Sequence, residues 1–301
     1  MNIIILSRPN RKNGSDRLLE AAKARGHEAR IVDYTKCYCN IEKNNPQVYF
    51  EGKPIENVDA IIPRISINSQ SYGSVVIRQF EMMNVFSSTG SLAFVRARDK
   101  LRSTQLLARH GIDIPKTAFV RGTEEVDNVI ELVGGAPLIV KLARGSLGVG
   151  VVLAETRSAA RAIIQAFNSQ KVNILIQEFI KESAGVDMRV FVVDGEVVGA
   201  MKRTAEGEEF RSNVHLGGTT EVVTLTKKER SLAIRAAATM NLAIAGVDLL
   251  LSKRGPLVME VNSFPMLEGI EAATGKDIAS EIIAYLERSV PKKRRRDKVG
   301  A

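Results

Sequence analysis

The chain has 301 residues, 45% hydrophobic and 26% charged, which is enough for two domains or slightly more with cores that need no disulfide staples. Lys plus Arg number 43 against 34 Asp plus Glu, a formal +9, so the partners to weigh are anions: nucleic acid, a membrane surface or acidic small molecules. No apolar run approaches the roughly 20 residues of a membrane helix, MNIIILSRPN lacks a signal peptide's basic start and long apolar run, and Cys37 and Cys39 complete neither a zinc set nor a disulfide framework, so a cytoplasmic protein without membrane contact is expected.

In chain order, residues 3–6 are predicted as a buried strand, and Ser15 or Asp16 as the cap of a helix through Leu18, Leu19, Ala21 and Ala22 that Gly26 closes. Strands follow at 31–32 and 59–63, a strand–helix–strand order that predicts a parallel α/β unit. Asp99 is placed to cap a helix carrying Leu101, Leu106, Leu107 and Ala108 and stopped by Gly111. Strands at 137–142 and 149–154 flank RGSLG, a helix spans 157–167 and a strand 174–180. MRVFVVDGEVVGAMKR predicts a type I′ hairpin about Asp194-Gly195, whose ideal register sets Asp187 opposite Lys202. An amphipathic helix is predicted at 227–241, paired strands at 246–251 and 257–262 across SKRG, and a closing helix at 277–286. From Lys292 to Lys298 the net charge is +5, leaving +4 for everything before it; such a run cannot bury a face, so 291–301 is expected to be a basic disordered tail.

KLARGSLGVGVV puts Lys141 at the end of a strand, then Gly145, Gly148 and Gly150, then another strand. Glycines let a backbone approach phosphates. A Walker loop has its lysine after the glycines, a dinucleotide fingerprint opens a helix, and a kinase's glycines precede its lysine, so none of the three matches. The loop alone reads equally as a phosphate flap or a plain hairpin. In VMEVNSFP, strand alternation puts Glu260 and Asn262 on one face and Met259 and Val261 on the other, with Asp248 opposite or next to Glu260 if SKRG makes a hairpin. Three oxygen ligands inside apolar strands are costly to bury without a cation and suit Mg²⁺; a polar edge facing water is the alternative. Glu178 and Asp187 are candidates to hold an adenosine, and Arg189, Lys202 and Arg203 gather positive charge nearby, although Asp187 with Lys202 would equally be a surface ion pair.

With Lys141 before a glycine loop, QEF at 177–179, Asp187 and Arg189 before a hairpin, FRSN-x-H-x-GG, and Asp248 with ME-V-N, the sequence resembles the ATP-grasp carboxylate–amine ligases, and among them the RimK-type α-L-glutamate ligases. The resemblance implies an α/β (α+β) chain with the ATP-grasp fold: an N-terminal parallel α/β pre-ATP-grasp domain over 1–95, a central subdomain with the glycine flap over 96–175, a C-terminal subdomain with the metal site over 176–290, and the tail. It further implies that Lys100 and Lys141 hold ATP phosphates under the loop of Gly145, Gly148 and Gly150; that Glu178 and the backbone of Phe179 and Ile180 take the adenine and Asp187 the ribose; and that Arg211, Ser212 and Asn213 serve the phosphate end. Asp248 and Glu260 would bind one Mg²⁺ (or Mn²⁺), Glu260 and Asn262 a second, and Arg189, Arg203 and Arg211 would act on the anionic substrate and the transferred phosphate.

The implied reaction joins L-glutamate to the C-terminus of ribosomal protein S6 through an acyl phosphate, in a homo-oligomer, a tetramer by family resemblance, with a ribosome or RNA contact through the tail. Such chemistry needs no serine, cysteine or histidine nucleophile, which suits a chain with three histidines; His215, His27 and His110 are read as structural or incidental. Two features depart from the family pattern: Phe264 and Met266 replace a Ser and a Gly, and Ser146-Leu147 replaces a common Thr-Gln pair. The competing readings are a sister ligase that glutamylates a cofactor or carrier protein, and a catalytically silent ATP-binding regulator that uses the tail on RNA.

Overall fold

A computed structural model describes residues 1–9, 14–122, 124–143, 150–207, 210–211 and 218–290. The chain opens with β1 (Asn2–Leu6), α1 (Ser15–Ala24), β2 (Glu28–Val32), a small antiparallel meander β3 (Tyr38–Asn40), β4 (Gln47–Phe50) and β5 (Lys53–Pro54), then β6 (Ala60–Pro63), α2 (Gln70–Met82), β7 (Phe86–Ser87) and α3 (Ser91–Arg98). Strands β1, β2, β6 and β7 form a parallel sheet in the order β2-β1-β6-β7. Ile3, Ile4, Ile5 and Leu6 are all fully buried, because α1 covers one face and α2 the other; a strand covered on both faces reads as a continuous apolar run.

Neither Ser15 nor Asp16 caps α1. Ser15 is its first helical residue and is buried, and Gly14 holds the cap position at φ +76. A Cβ there would lie 2.9 Å from Leu267 Cγ, and the Gly14 N–H donates to Glu268 Oε1 at 2.6 Å. The cap therefore joins the first sheet to the end of the chain, a tertiary contact that a local capping rule does not see.

Next come α4 (Lys100–Arg109), β8 (Thr117–Val120), α5 (Val126–Leu132), β9 (Leu138–Leu142), β10 (Val151–Ala154), α6 (Arg157–Ser169) and β11 (Ile174–Glu178). Asp99 caps α4 as expected, accepting from the Arg102 N–H at 3.0 Å. The strands form an antiparallel sheet in the order β10-β9-β11-β8, with α5 and α6 on a core of Val129, Ile130, Val140, Ile164 and Ile176. The expected division after residue 175 falls inside β11, whose whole length pairs with β9.

The rest is β12 (Val186–Val193), β13 (Glu196–Thr204), β14 (Thr219–Val222), α7 (Lys227–Thr239), β15 (Ile244–Ser252), β16 (Gly255–Asn262), α8 (Glu268–Thr274) and α9 (Ile278–Ser289). Its strands form an antiparallel sheet, β14-β13-β12-β15-β16. Asp194 at φ 52 and Gly195 at φ 81 make the expected hairpin turn. A bulge between Phe191 and Val192 then shifts the register by one, so Asp187 faces Arg203 and Met188 faces Lys202. α7 packs on one face of this sheet, while Phe191, Val193 and Met201 on the other join Ile3, Ile5, Leu18, Ile270 and Ile282 in one core, which fixes α1, α8 and α9 between the first sheet and the last. Cys37 is buried and Cys39 half-buried, both as free thiols; burial pushes the Cys37 thiol up to about 12, so it is not a nucleophile.

Candidate active site

Strands β8, β9 and β11 of the middle sheet, helix α4 and the edge strand β16 of the last sheet enclose a narrow cavity of about 40 Å³ whose lining includes Lys100, Thr117, Lys141, Gln177, Met259 and Glu260. Lys141 ends β9, and its ammonium donates to Gln177 Oε1 at 2.6 Å, while Gln177 Nε2 donates to Thr117 Oγ1 at 2.9 Å. Burial, reinforced by Lys100, pushes the Lys141 pKa down to about 8 although Glu260 opposes the shift. A half-buried lysine whose ammonium makes one hydrogen bond among the described residues, beside a second lysine, is built for an added anion. Gln177 is a positioning partner that reading residue types alone leaves unassigned; its signal is an amide in an otherwise apolar strand.

Gly150 sits where the glycine loop re-enters β10, at φ +74, with its carbonyl accepting the Leu142 N–H at 2.9 Å. A Cβ there would come within 2.5 Å of Leu142 Cδ1, so both backbone and space require glycine. Gly145, Gly148, Ser212 and Asn213, all expected site residues, lie outside the described residues, as do Ser146, Leu147 and His215. Arg211 is described, with its guanidinium 5.7 Å from the Phe210 ring centroid.

Across the cleft, β15 and β16 bring Asp248 and Glu260 into register, and a bulge follows at Asp248/Leu249. The bulge makes Met259 the extra residue, and it lines the cavity beside Glu260, against the simple alternation expected. Asn262 Nδ2 lies 3.3 Å from Asp248 Oδ2, so the three expected oxygen donors converge. Asp248 is only 3% exposed. Arg189 grips it with Nε and Nη2 at 2.7 and 2.6 Å, and Arg203 approaches at 3.1 Å. Burial raises the Asp248 carboxyl, but the two guanidiniums win and hold it below the usual range.

Arg203 also makes two 2.6 Å bonds to Asp187. Asp187, 3% exposed, is thus neither in a surface ion pair nor paired with Lys202, which instead meets Glu221 at 2.8 Å. The buried Asp187, Arg203 and Asp248 and the half-buried Arg189 form one charge-balanced network. The donor set fits a hard divalent cation, because three oxygen-bearing side chains meet at one strand pair, with cations beside them suited to phosphate oxygens.

Glu178, at the end of β11, accepts the Lys116 N–H at 2.6 Å and is clasped by both terminal nitrogens of Arg254. Burial raises its carboxyl, yet Arg254 and the Lys116 N–H hold it below the usual range. Phe179 is half-buried and Ile180 buried. Arg254 lies in the SKRG turn, where nothing in the sequence marks it.

The RimK-like ATP-grasp domain description matches residues 97–286, and the RimK PreATP-grasp domain description residues 1–94. The chain belongs to the RimK-like ATP-grasp family. A protein of Hydrogenovibrio crunogenus named "Probable alpha-L-glutamate ligase" is 54% identical over 289 residues, covering 96% of each chain. One of the same name from Nitrosococcus oceani is 52% identical over 296 residues, covering 98% of each. Among solved structures, the ATP-grasp ligase PsnB complexed with minimal precursor, Mg and ADP superposes at a TM-score of 0.73 with 20% identity, over 95% of this chain and 98% of that one. The RimK domain protein ATP-grasp from Sphaerobacter thermophilus gives 0.71 with 21% identity, over 95% and 99%. These structural likenesses bear on the fold, which is ATP-grasp with an N-terminal pre-ATP-grasp domain as expected. As a RimK-like ATP-grasp protein the chain is an ATP-dependent ligase, in a family for which ATP and Mg²⁺ are general features. No helix among the described residues is long and apolar enough to cross a membrane.

Proposed function

We propose that this ATP-grasp ligase is an α-L-glutamate ligase that adds glutamate to the C-terminal carboxylate of an acidic protein, ribosomal protein S6 in the reading the family implies. The observation that carries the reading is the division of charge across one cleft: Lys141 beside Lys100 on one wall, and on the other Asp248 and Glu260 in register with two arginines at hand. The names of the curated relatives supply glutamate as the amino acid.

In this reading an oxygen of the acceptor carboxylate attacks the γ-phosphorus of ATP, the bond to the bridging oxygen breaks, and ADP leaves. The acyl phosphate so formed is attacked at carbon by the glutamate amine, phosphate departs, and the amine gives up its proton as the amide forms. No protein nucleophile is needed; positioning and neutralisation of charge carry phosphoryl transfer. Lys100 and Lys141 hold phosphate oxygens, with the loop of Gly145, Gly148 and Gly150 above them. Glu178, Phe179 and Ile180 at the end of β11 flank the adenine.

Nucleotide binding then works as an exchange of partners. Phosphate oxygens become acceptors for Arg189, Arg203 and the segment of Arg211, Ser212 and Asn213, which frees Asp187 for the ribose and Asp248 for metal. Asp248, Glu260 and Asn262 would hold two Mg²⁺, with Mn²⁺ a competent substitute, and the bound ions neutralise charge on the transferred phosphoryl group. The test is ADP release on a panel of acceptor peptides and amino acids; turnover with an acidic C-terminal peptide and glutamate supports the reading, and turnover only with another amine, such as lysine or alanine, contradicts it.

A further inference from the structure

Two arginines that the ATP and metal roles leave unused, Arg64 buried and Arg98 half-buried, lie at the carboxyl end of the parallel sheet, where open α/β sheets receive ligands. Arg64 directly follows β6, is 6% exposed, and hangs its backbone on β1 through Leu6 O at 2.8 Å. Arg98, the last residue of α3, donates Nη2 to Ile65 O at 3.0 Å. Its guanidinium lies 5.6 Å from the Phe94 ring centroid and 5.7 Å from that of Phe264, and the two rings are 4.9 Å apart. Phe264, which departs from the family pattern, thus forms part of the platform that orients Arg98.

Burial pushes Arg64 down to about 10, with Arg98 adding to the shift against the opposing charge of Glu268, which also accepts the Gly14 N–H at 2.6 Å. The charge that favours the Arg98 cation most is Glu260, which places this cluster beside the proposed metal residues. Arg98 Nε and Ser263 Oγ are both buried and lack a hydrogen-bond partner among the described residues. Buried donors without acceptors are costly. Planar guanidinium forks match a carboxylate better than any other small anionic group that this reaction supplies without phosphorus.

We propose that Arg64 and Arg98, with the Ser263 hydroxyl, form a subsite that binds a substrate carboxylate, that of the incoming amino acid. The inference rests on the ligase reading above and deepens it. A carboxylate held here keeps the amino acid at the Glu260 side of the cleft and leaves its amine free to reach the acyl carbon. The end of the acceptor carries the same chemistry, so the experiment has an arm for each source.

The full chain is prepared as wild type, R98Q, R64Q and R64K. Steady-state KM is measured for glutamate, for an acidic acceptor peptide and for ATP, and melting is followed with glutarate, a dicarboxylate without an amine. R98Q and R64Q are expected to raise KM for glutamate on the order of tenfold, the loss of one charge-assisted hydrogen bond, while KM for ATP moves less than about twofold. R64K, which keeps the charge and loses the fork, should fall between R64Q and wild type, and the glutarate shift in melting should vanish in R98Q. A rise confined to the acceptor KM overturns the assignment to the amino acid and gives the subsite to the acceptor. Unchanged KM for both, with the glutarate shift intact, overturns the subsite altogether. Should the wild type ligate no glutamate to any acceptor, the ligase reading fails separately, and melting with glutarate still decides whether a carboxylate binds at these arginines. Should R64Q not fold, R98Q and R64K carry the test.

Discussion

Replacing Asp248 with asparagine separates the two jobs this carboxylate holds. Asp248 is 3% exposed and compensates Arg189 and Arg203 at once. Removing one partner of a buried ion pair costs about 3–5 kcal/mol, because the remaining charge stays desolvated. An asparagine oxygen still accepts one hydrogen bond from Arg189 and Arg203 keeps Asp187, so the expectation for D248N is near about 3 kcal/mol. In a chain of this size that lowers Tm by roughly 5 °C. Glu260 is half-buried at the cavity, and E260Q should cost within about 1 kcal/mol. Both variants should lose Mg²⁺-dependent ADP formation. Urea unfolding at constant m-value supplies the stabilities, and the double variant D248N/R189Q should recover part of the loss by removing the surplus guanidinium. A D248N protein that unfolds at the wild-type midpoint, or an E260Q protein as unstable as D248N, would refute the reasoning that Asp248, and not Glu260, anchors the buried charge network.

Lys141, lowered from 10.5 to about 8, predicts a linkage between protons and nucleotide. Below pH 8 it is charged in both native and unfolded chains and the cost of burying it is fully present; between 8 and 10.5 the native state binds fewer protons, so stability of the free protein rises with pH. Phosphate contacts restore the charge, so ATP binding should take up a proton above that lower value and weaken about tenfold per pH unit; calorimetry in buffers of different ionisation enthalpy reads this, and buffer-independent heats would contradict it. G150A forces a left-handed φ on alanine and drives Cβ to 2.5 Å from Leu142 Cδ1; a loss of about 1–3 kcal/mol is expected, read as a lower urea midpoint. Deleting 291–301 removes the net +5 run; RNA affinity in low salt should drop and its salt slope flatten while ADP release with a peptide acceptor persists, and equal RNA binding by the truncated chain would remove the tail from the account.

Local signals carried most of the fold. Asp194-Gly195 predicts its turn because only residues tolerant of positive φ fit there, and Asp99 predicts its cap because the bond spans three residues. The cap of α1 escaped, since Gly14 answers to Leu267 and Glu268 far along the chain. The bulge at Phe191/Val192 escaped as well, and with it the Asp187–Arg203 pair: a one-residue shift exchanges every partner beyond it without altering the residue pattern. In the site, hairpin spacing made legible that Asp248 lies opposite or next to Glu260, while the bulge at Asp248/Leu249 that sets them opposite was not. Gln177, Arg254, Arg64 and Arg98 were not, because each acquires its role from contacts between elements that no spacing rule connects. The meander of β3 to β5 left no strong pattern, its strands being two to four residues long.

The central claim is that ATP is spent on joining glutamate to a protein's terminal carboxylate. Mass spectrometry of an acidic C-terminal peptide, such as that of ribosomal protein S6, incubated with the enzyme, ATP, Mg²⁺ and L-glutamate, tests it most directly. The account predicts a ladder of glutamyl increments at the peptide C-terminus, absent without ATP and absent with E260Q. An unmodified peptide alongside ADP release that depends on a different amine or a different acceptor would contradict it.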